Sequence, residues 1–200
     1  MKAQILILNG DYKKSLEIVD SALKGEVDNE LLNKIICQKL ILLSKNEDIK
    51  DCKKYFERAN PKYAGYDDVL IEYGKILTDM KDFDGALEIF SNINKSIRLN
   101  AEVLYNIGLA YLGTDKFDEA KETLGEALNE VKDGGVIYNY SVACYRTNDF
   151  KGAINILEQY QAILPKDGSI ENLLGNIYLS KGDVVNAQKY YYKALDIDGD

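Results

Sequence analysis

Two tyrosine–asparagine pairs, Tyr105-Asn106 and Tyr138-Asn139, stand 33 residues apart inside apolar stretches that also repeat. An asparagine side chain offers two donors and an acceptor, so a row of them can pair with an extended backbone of any sequence. Tyrosine adds broad, rigid contact area at low entropic cost. This is the chemistry of recognition rather than of bond making. The residue types for bond making are largely missing. The 200 residues include no histidine, which removes the Ser-His-Asp triad, the Cys-His dyad and every His-ligated metal site. Cys37, Cys52 and Cys144 are an odd set without Cys-x-x-Cys spacing, so neither a disulfide framework nor a zinc site is expected. Asp133-Gly134-Gly135 has no strand before it and so is not a phosphate loop. The acidic tail from Asp196 to Asp200 lacks the closing glutamate of a calcium loop and reads as a frayed terminus. The expectation is a protein with no catalytic residues, no cofactor and no metal.

Charge and hydropathy narrow the partners. The net charge of −8 argues against nucleic acid, whose binding depends on clustered Lys and Arg. At 46% hydrophobic and 29% charged residues, the chain is neither disordered nor membrane-spanning. The N-terminal apolar run, Ile5 to Leu8, is too short for a signal segment or a membrane helix. A cytoplasmic protein without direct membrane insertion is expected.

A period near 34 residues supplies the elements that position the pairs. Val103-Leu-Tyr-Asn-Ile-Gly-Leu-Ala-Tyr111 matches Val136-Ile-Tyr-Asn-Tyr-Ser-Val-Ala-Cys144, and an aromatic and a small residue follow each. The small position recurs at Ser15, Cys52, Ala86, Ala120, Ala153 and Ala187, in steps of 37, 34, 34, 33 and 34. Leu104, Ile107, Gly108 and Tyr111 lie on one helical face, and Ala120, Leu124, Ala127 and Leu128 lie on one face of a second helix. In five of the six units an Asp at the break (Asp11, Asp48, Asp82, Asp149, Asp183) is placed to cap the second helix. Lys116 is the exception, and there Asp115 is expected to take the role. Pro61 and Pro165 fall after predicted second helices. Gly74, Gly108, Ser141 and Gly175 recur in the first helix, and facing the small residues of the second they would let the two helices approach closely.

At these residues the chain resembles the tetratricopeptide-repeat family, with its 34-residue helix-turn-helix unit. The fourth unit matches best, through Leu104, Ile107-Gly108, Tyr111, Ala120, Leu124 and Ala127; the second is weakest, with Leu40 in the glycine place. The resemblance implies an all-α solenoid, a right-handed superhelix of about six repeats in one domain spanning residues 1–200. The repeats run approximately 1–29, 30–66, 67–100, 101–133, 134–167 and 168–200, the first of them truncated.

It also implies that first helices line a concave groove and that the function is partner binding. On that reading the groove residues are Lys75, Tyr105, Asn106, Tyr138, Asn139, Tyr145, Arg146, Asn172 and Asn176. The asparagines are similar to the ladder lining the repeats of the O-linked GlcNAc transferase family. Chaperone-tail-binding members use a cationic two-carboxylate clamp instead. Here its positions read Ile71 and Lys75, Asn106, then Gly135 and Asn139, so only Asn106 fits and that clamp is rejected. The expected function is a non-enzymatic scaffold that takes a protein or peptide in the groove. Two alternatives stand beside it: a homo-oligomer stacked through uncapped ends, with Val184, Val185, Tyr190, Tyr191 and Leu195 on the last helix, or the regulatory portion of a larger enzyme or sensor.

Overall fold

The computed structural model describes residues 12–25, 27–45, 49–98, 100–164, 166 and 168–198. The architecture is all-α and of solenoid type, with helix-turn-helix units following one another along the chain. Packing divides it into two compact units, Met1–Arg98 and Leu99–Asp200, a boundary that falls at the end of the third repeat. In the first unit the helices are α1 (Tyr12–Lys24), α2 (Asn29–Lys45), α3 (Cys52–Phe56), α4 (Tyr66–Asp79), α5 (Phe83–Ser91) and α6 (Lys95–Arg98). In the second they are α7 (Ala101–Gly113), α8 (Phe117–Glu130), α9 (Gly134–Arg146), α10 (Phe150–Gln159), α11 (Ser169–Ser180) and α12 (Val184–Asp198). The tail is not frayed where it is described, because α12 carries the helix through Asp196 and Ile197.

The turn within each unit is built the same way four times. The first helix ends on a left-handed residue, at Lys81, Asp115, Asn148 and Gly182, each with φ between 58° and 78°. The next N–H then reaches back to a carbonyl five residues earlier, as from Asp82 to Leu77, Lys116 to Tyr111, Asp149 to Cys144 and Asp183 to Tyr178. This closes the helix and saturates its last carbonyls. Asp82, Asp149 and Asp183 then accept from the N–H groups of Gly85, Gly152 and Asn186 at 3.1, 2.9 and 3.1 Å, as the capping pattern predicts. Asp115 does not take over the cap where Lys116 stands in the Asp place. Its left-handed backbone aims the carboxylate away, and it pairs with Arg146 at 3.1 Å. The predicted caps Asp11 and Asp48, the first-helix stretch 1–8, Pro165, and Gly199 with Asp200 lie outside the described residues.

All six small positions of the second helices are buried, from Ser15 through Ala187. They do not face the glycines, however, as small-on-small packing would require. A Cβ placed on Gly74 would stand 2.5 Å from Phe90 Cε1, on Gly108 2.5 Å from Leu124 Cγ, and on Gly175 2.5 Å from Tyr191 Cε1. Each glycine therefore makes room for the large residue four positions after the small one. Helix interiors disfavour glycine by roughly 0.8–1 kcal/mol against alanine, and here the large side chain occupies the space gained.

The second repeat departs from this scheme. Leu40 fills the glycine place and is fully buried, and Phe56, the residue that would have lain over it, stacks on Tyr73 of α4 at 4.2 Å. Helix α3 stops after five residues, and the chain runs irregularly to Gly65. Asn33 holds that path. Its fully buried amide donates to the carbonyls of Asn60 and Tyr63 at 2.8 and 2.9 Å and accepts from the Asn60 N–H at 2.9 Å.

Candidate functional site

The second unit holds a groove of about 330 Å³ between two successive first helices, α9 and α11. From α9 come Tyr138, Val142, Tyr145 and Arg146, each one helical turn or less from the next; from α11 come Ser169, Asn172, Leu173 and Asn176. Five of the nine residues expected in a groove thus meet in one place. Val142 and Leu173 form its apolar floor, Leu173 itself being buried against Ile170, Leu174 and Ile177. The Tyr145 hydroxyl stands 3.4 Å from the Ser180 hydroxyl, and its ring leans on Phe150.

The other four expected residues lie elsewhere. Tyr105 lines a separate hollow with Asn100, Glu102, Val131, Asp133 and Val136. Burial, and secondarily Asp133, pushes its phenol pKa up, so it is neutral at any physiological pH. Asn139 donates to the Gly135 carbonyl at 2.9 Å and to the Tyr105 hydroxyl at 3.2 Å. Both of its donors are therefore committed and only its oxygen is left to offer. Asn106 likewise donates back to the Glu102 carbonyl at 2.8 Å. The two rungs that share a repeat position are thus folded onto their own helices, which sequence spacing does not reveal. Lys75 sits in the first unit and pairs with Glu72 at 3.1 Å.

Electrostatically the groove is quiet. Arg146 contacts Asp115 at 3.1 Å, and its guanidinium lies 3.8 Å over the Phe117 ring. Its charge is paired in a contact that both side chains leave open to solvent. Asn172 is exposed, and its amide makes no hydrogen bond among the described residues. The Asn176 oxygen accepts from the Tyr191 hydroxyl at 2.8 Å. Tyr191 was not expected at the site, since its register position reads as packing.

Activated nucleophiles are not what surrounds the thiols. Burial first, and then Glu72 and Asp68, pushes the Cys37 thiol up to about 12, and burial also raises Cys144. Both stay protonated, the poorly nucleophilic form. Among the described residues no group of three or more His, Cys, Asp or Glu could hold a metal, and no helix is long and apolar enough to cross a membrane. A larger cavity, about 490 Å³, opens among α10, α11 and α12, with Leu157, Leu164, Ile170 and Leu174 as floor and Glu158, Glu171, Lys166 and Lys193 around the rim. Sequence patterning missed it because it forms where α10 stops at Gln159 and a tight turn, Gln161–Ile163, replaces further helix.

Known proteins give the same architecture. A family profile for tetratricopeptide repeats matches residues 101–130 and 172–200. The mouse BBSome complex member BBS4 is 24% identical over 200 residues, and the match covers 99% of this chain but 38% of that protein. The chain therefore spans about two-fifths of the length of that curated relative. Among solved structures, Pseudomonas aeruginosa pilF superposes with a TM-score of 0.78 at 15% identity, over 98% of this chain and 88% of that one. MamA from MSR-1 gives 0.72 at 19% identity, over 84% of this chain and 98% of that one. The matched repeats and the shared fold agree with the recurring glycine-on-large-residue contact, and residues 101–130 and 172–200 match tetratricopeptide repeats.

Proposed function

We propose that the chain is a non-enzymatic interaction scaffold whose α9–α11 groove takes an extended segment of a partner protein. The groove itself carries the reading: two tyrosines, an apolar floor of Val142 and Leu173, and the exposed amides Asn172 and Asn176 converge on one hollow. With Arg146 matched by Asp115, recognition rests on apolar and amide contacts rather than on ionic ones. Kinship with a BBSome complex member, a protein that by name assembles with others, is consistent with this.

The test starts from peptides selected out of a random display library on the intact chain. In calorimetric titration of a selected peptide, Asn172→Ala is expected to weaken binding roughly tenfold, the effect of about 1.4 kcal/mol of lost hydrogen bonding. Val142→Lys is expected to weaken it further by putting a charge on the apolar floor. Far-UV circular dichroism should be unchanged in both. Unaltered affinity in both variants would place recognition elsewhere.

A specific observation favours a second reading, self-association. On α12, Val185, Tyr192 and Leu195 are 78%, 67% and 65% exposed. At the register position of Leu195 in α8, Leu128 is 6% exposed and packs in the core cluster with Val136 and Ile137 of α9. Similarly, the Gly125 position, equivalent to Tyr192, is covered by Tyr140. On this reading a second copy covers the α12 stripe. The mass measured by light scattering should then rise with concentration, and Tyr192→Lys with Leu195→Lys should hold it at the monomer. A monomer mass independent of concentration in the unaltered chain removes this reading.

A further inference from the structure

Resting on the groove reading above, we infer that Tyr191 is a positioning residue that turns Asn176 into a donor for the main-chain carbonyls of a bound extended segment. The contrast between repeats leads there. The other residues at the register of Tyr191 are Val19, Phe56, Phe90, Leu124 and Leu157, none with a hydroxyl. Phe90 and Leu124 do no more toward the first helix than lie over Gly74 and Gly108. The Tyr191 ring lies over Gly175 in the same manner, and its hydroxyl extends past the glycine to donate to the Asn176 oxygen at 2.8 Å.

That bond fixes the amide. Asn106 and Asn139 each fold an N–H back onto the carbonyl four residues earlier in their own helix, at 2.8 and 2.9 Å. Asn176 does not, because its oxygen is held on the Tyr191 side. Its two N–H groups are left toward the groove that it lines with Tyr138 and Leu173. An exposed amide whose oxygen already accepts one bond keeps two free donors and a single remaining lone pair, so the complementary group is foremost a carbonyl oxygen.

Spacing indicates which carbonyls. Asn172 lies one helical turn before Asn176, which sets their Cβ atoms about 5–6 Å apart. In an extended strand, carbonyls on the same side recur every two residues, roughly 6.8 Å. Asn172 and Asn176 are thus spaced to meet alternate carbonyls of one strand, while the side chains between them rest on Val142 and Leu173. The recognised chemistry is main chain, largely independent of the partner's side-chain charge.

Tyr191→Phe removes the hydroxyl and keeps the ring, and Phe90 shows that a phenylalanine ring is accommodated over such a glycine. Titrating the display-selected peptide, the variant is expected to bind roughly five- to tenfold more weakly, with the urea midpoint essentially unchanged. The Asn176 side-chain amide resonances should shift in the free protein, which a packing role for Tyr191 would not produce. A scan replacing each peptide amide with an ester, whose carbonyl is a poorer acceptor, should find a position that weakens binding to the unaltered chain and has less effect on the variant. Unchanged affinity and unmoved Asn176 resonances in Tyr191→Phe overturn the inference while the groove reading stands. A peptide whose binding ignores Val142→Lys and Asn172→Ala overturns both.

Discussion

Gly108→Leu is expected to destabilise the second unit by about 3 kcal/mol, the upper end of the usual overpacking range. The added Cβ alone would lie 2.5 Å from Leu124 Cγ and 2.6 Å from its Cδ2, and Leu124 is fully buried, so one of the two must shift. Three further carbons must then displace the α7–α8 interface. Urea unfolding should show a lower midpoint at a constant slope. A coupling test isolates the cause. Gly108→Ala on its own improves helix propensity by roughly 0.8–1 kcal/mol, yet it should still destabilise, because the clash outweighs that gain. Leu124→Ala on its own should cost about 2.7–5 kcal/mol through the cavity it leaves. Together the two should cost at least ~1 kcal/mol less than their sum, since the alanine methyl enters the space that Leu124 vacates. If Gly108→Ala stabilises by its full propensity gain, the glycine makes no close contact and the packing scheme is wrong.

Much of this architecture was legible because it repeats. A contact made several times leaves its mark at a fixed phase, and so Ser15 through Ala187 could be placed in the core from spacing alone. The partner of each glycine was not legible in the same way, because Phe90, Leu124 and Tyr191 share a phase but not a residue type. Sequence order also hides which way an amide points. Asn106 and Asn139 look like open rungs until the carbonyl four residues back and the Tyr105 hydroxyl are in place around them. Asp115 shows the same limit: its left-handed backbone, unusual for a residue other than glycine, sends the carboxylate to Arg146 rather than to the helix it precedes. That Tyr138, Tyr145, Arg146, Asn172 and Asn176 line one hollow follows from successive first helices facing the same way. Tyr191 was not legible there, since a packing position acquires a polar role only through the distance between its hydroxyl and Asn176.

The second repeat is where periodicity fails, and there a single polar side chain should dominate stability. Asn33→Ala is expected to cost about 3 kcal/mol in the first unit, because it strips three hydrogen bonds made by a fully buried side chain. The Tyr63 carbonyl and the Asn60 N–H would lose the partner that Asn33 gives them, while the Asn60 carbonyl keeps the Tyr63 N–H at 3.1 Å, and the path from Glu57 to Gly65 has no helix of its own to fall back on. Hydrogen exchange locates the effect: the Asn60 N–H should lose its protection well before the amides of α4. Asn33→Asp discriminates between lost hydrogen bonds and lost volume, since it keeps the size and the acceptor for the Asn60 N–H but removes both donors. Burial beside two carbonyls holds the new carboxyl above its ordinary range, so the folded state binds a proton that the unfolded state has already released. The Asp variant should therefore be weakest at neutral pH and recover part of its stability on acidification toward the ordinary carboxylate range, where the protonated acid can donate to one of the carbonyls. If the Ala variant unfolds at the same urea concentration as the unaltered chain, the irregular path is held by something other than Asn33. The stacked Phe56 and Tyr73 rings would then be the next residues to remove.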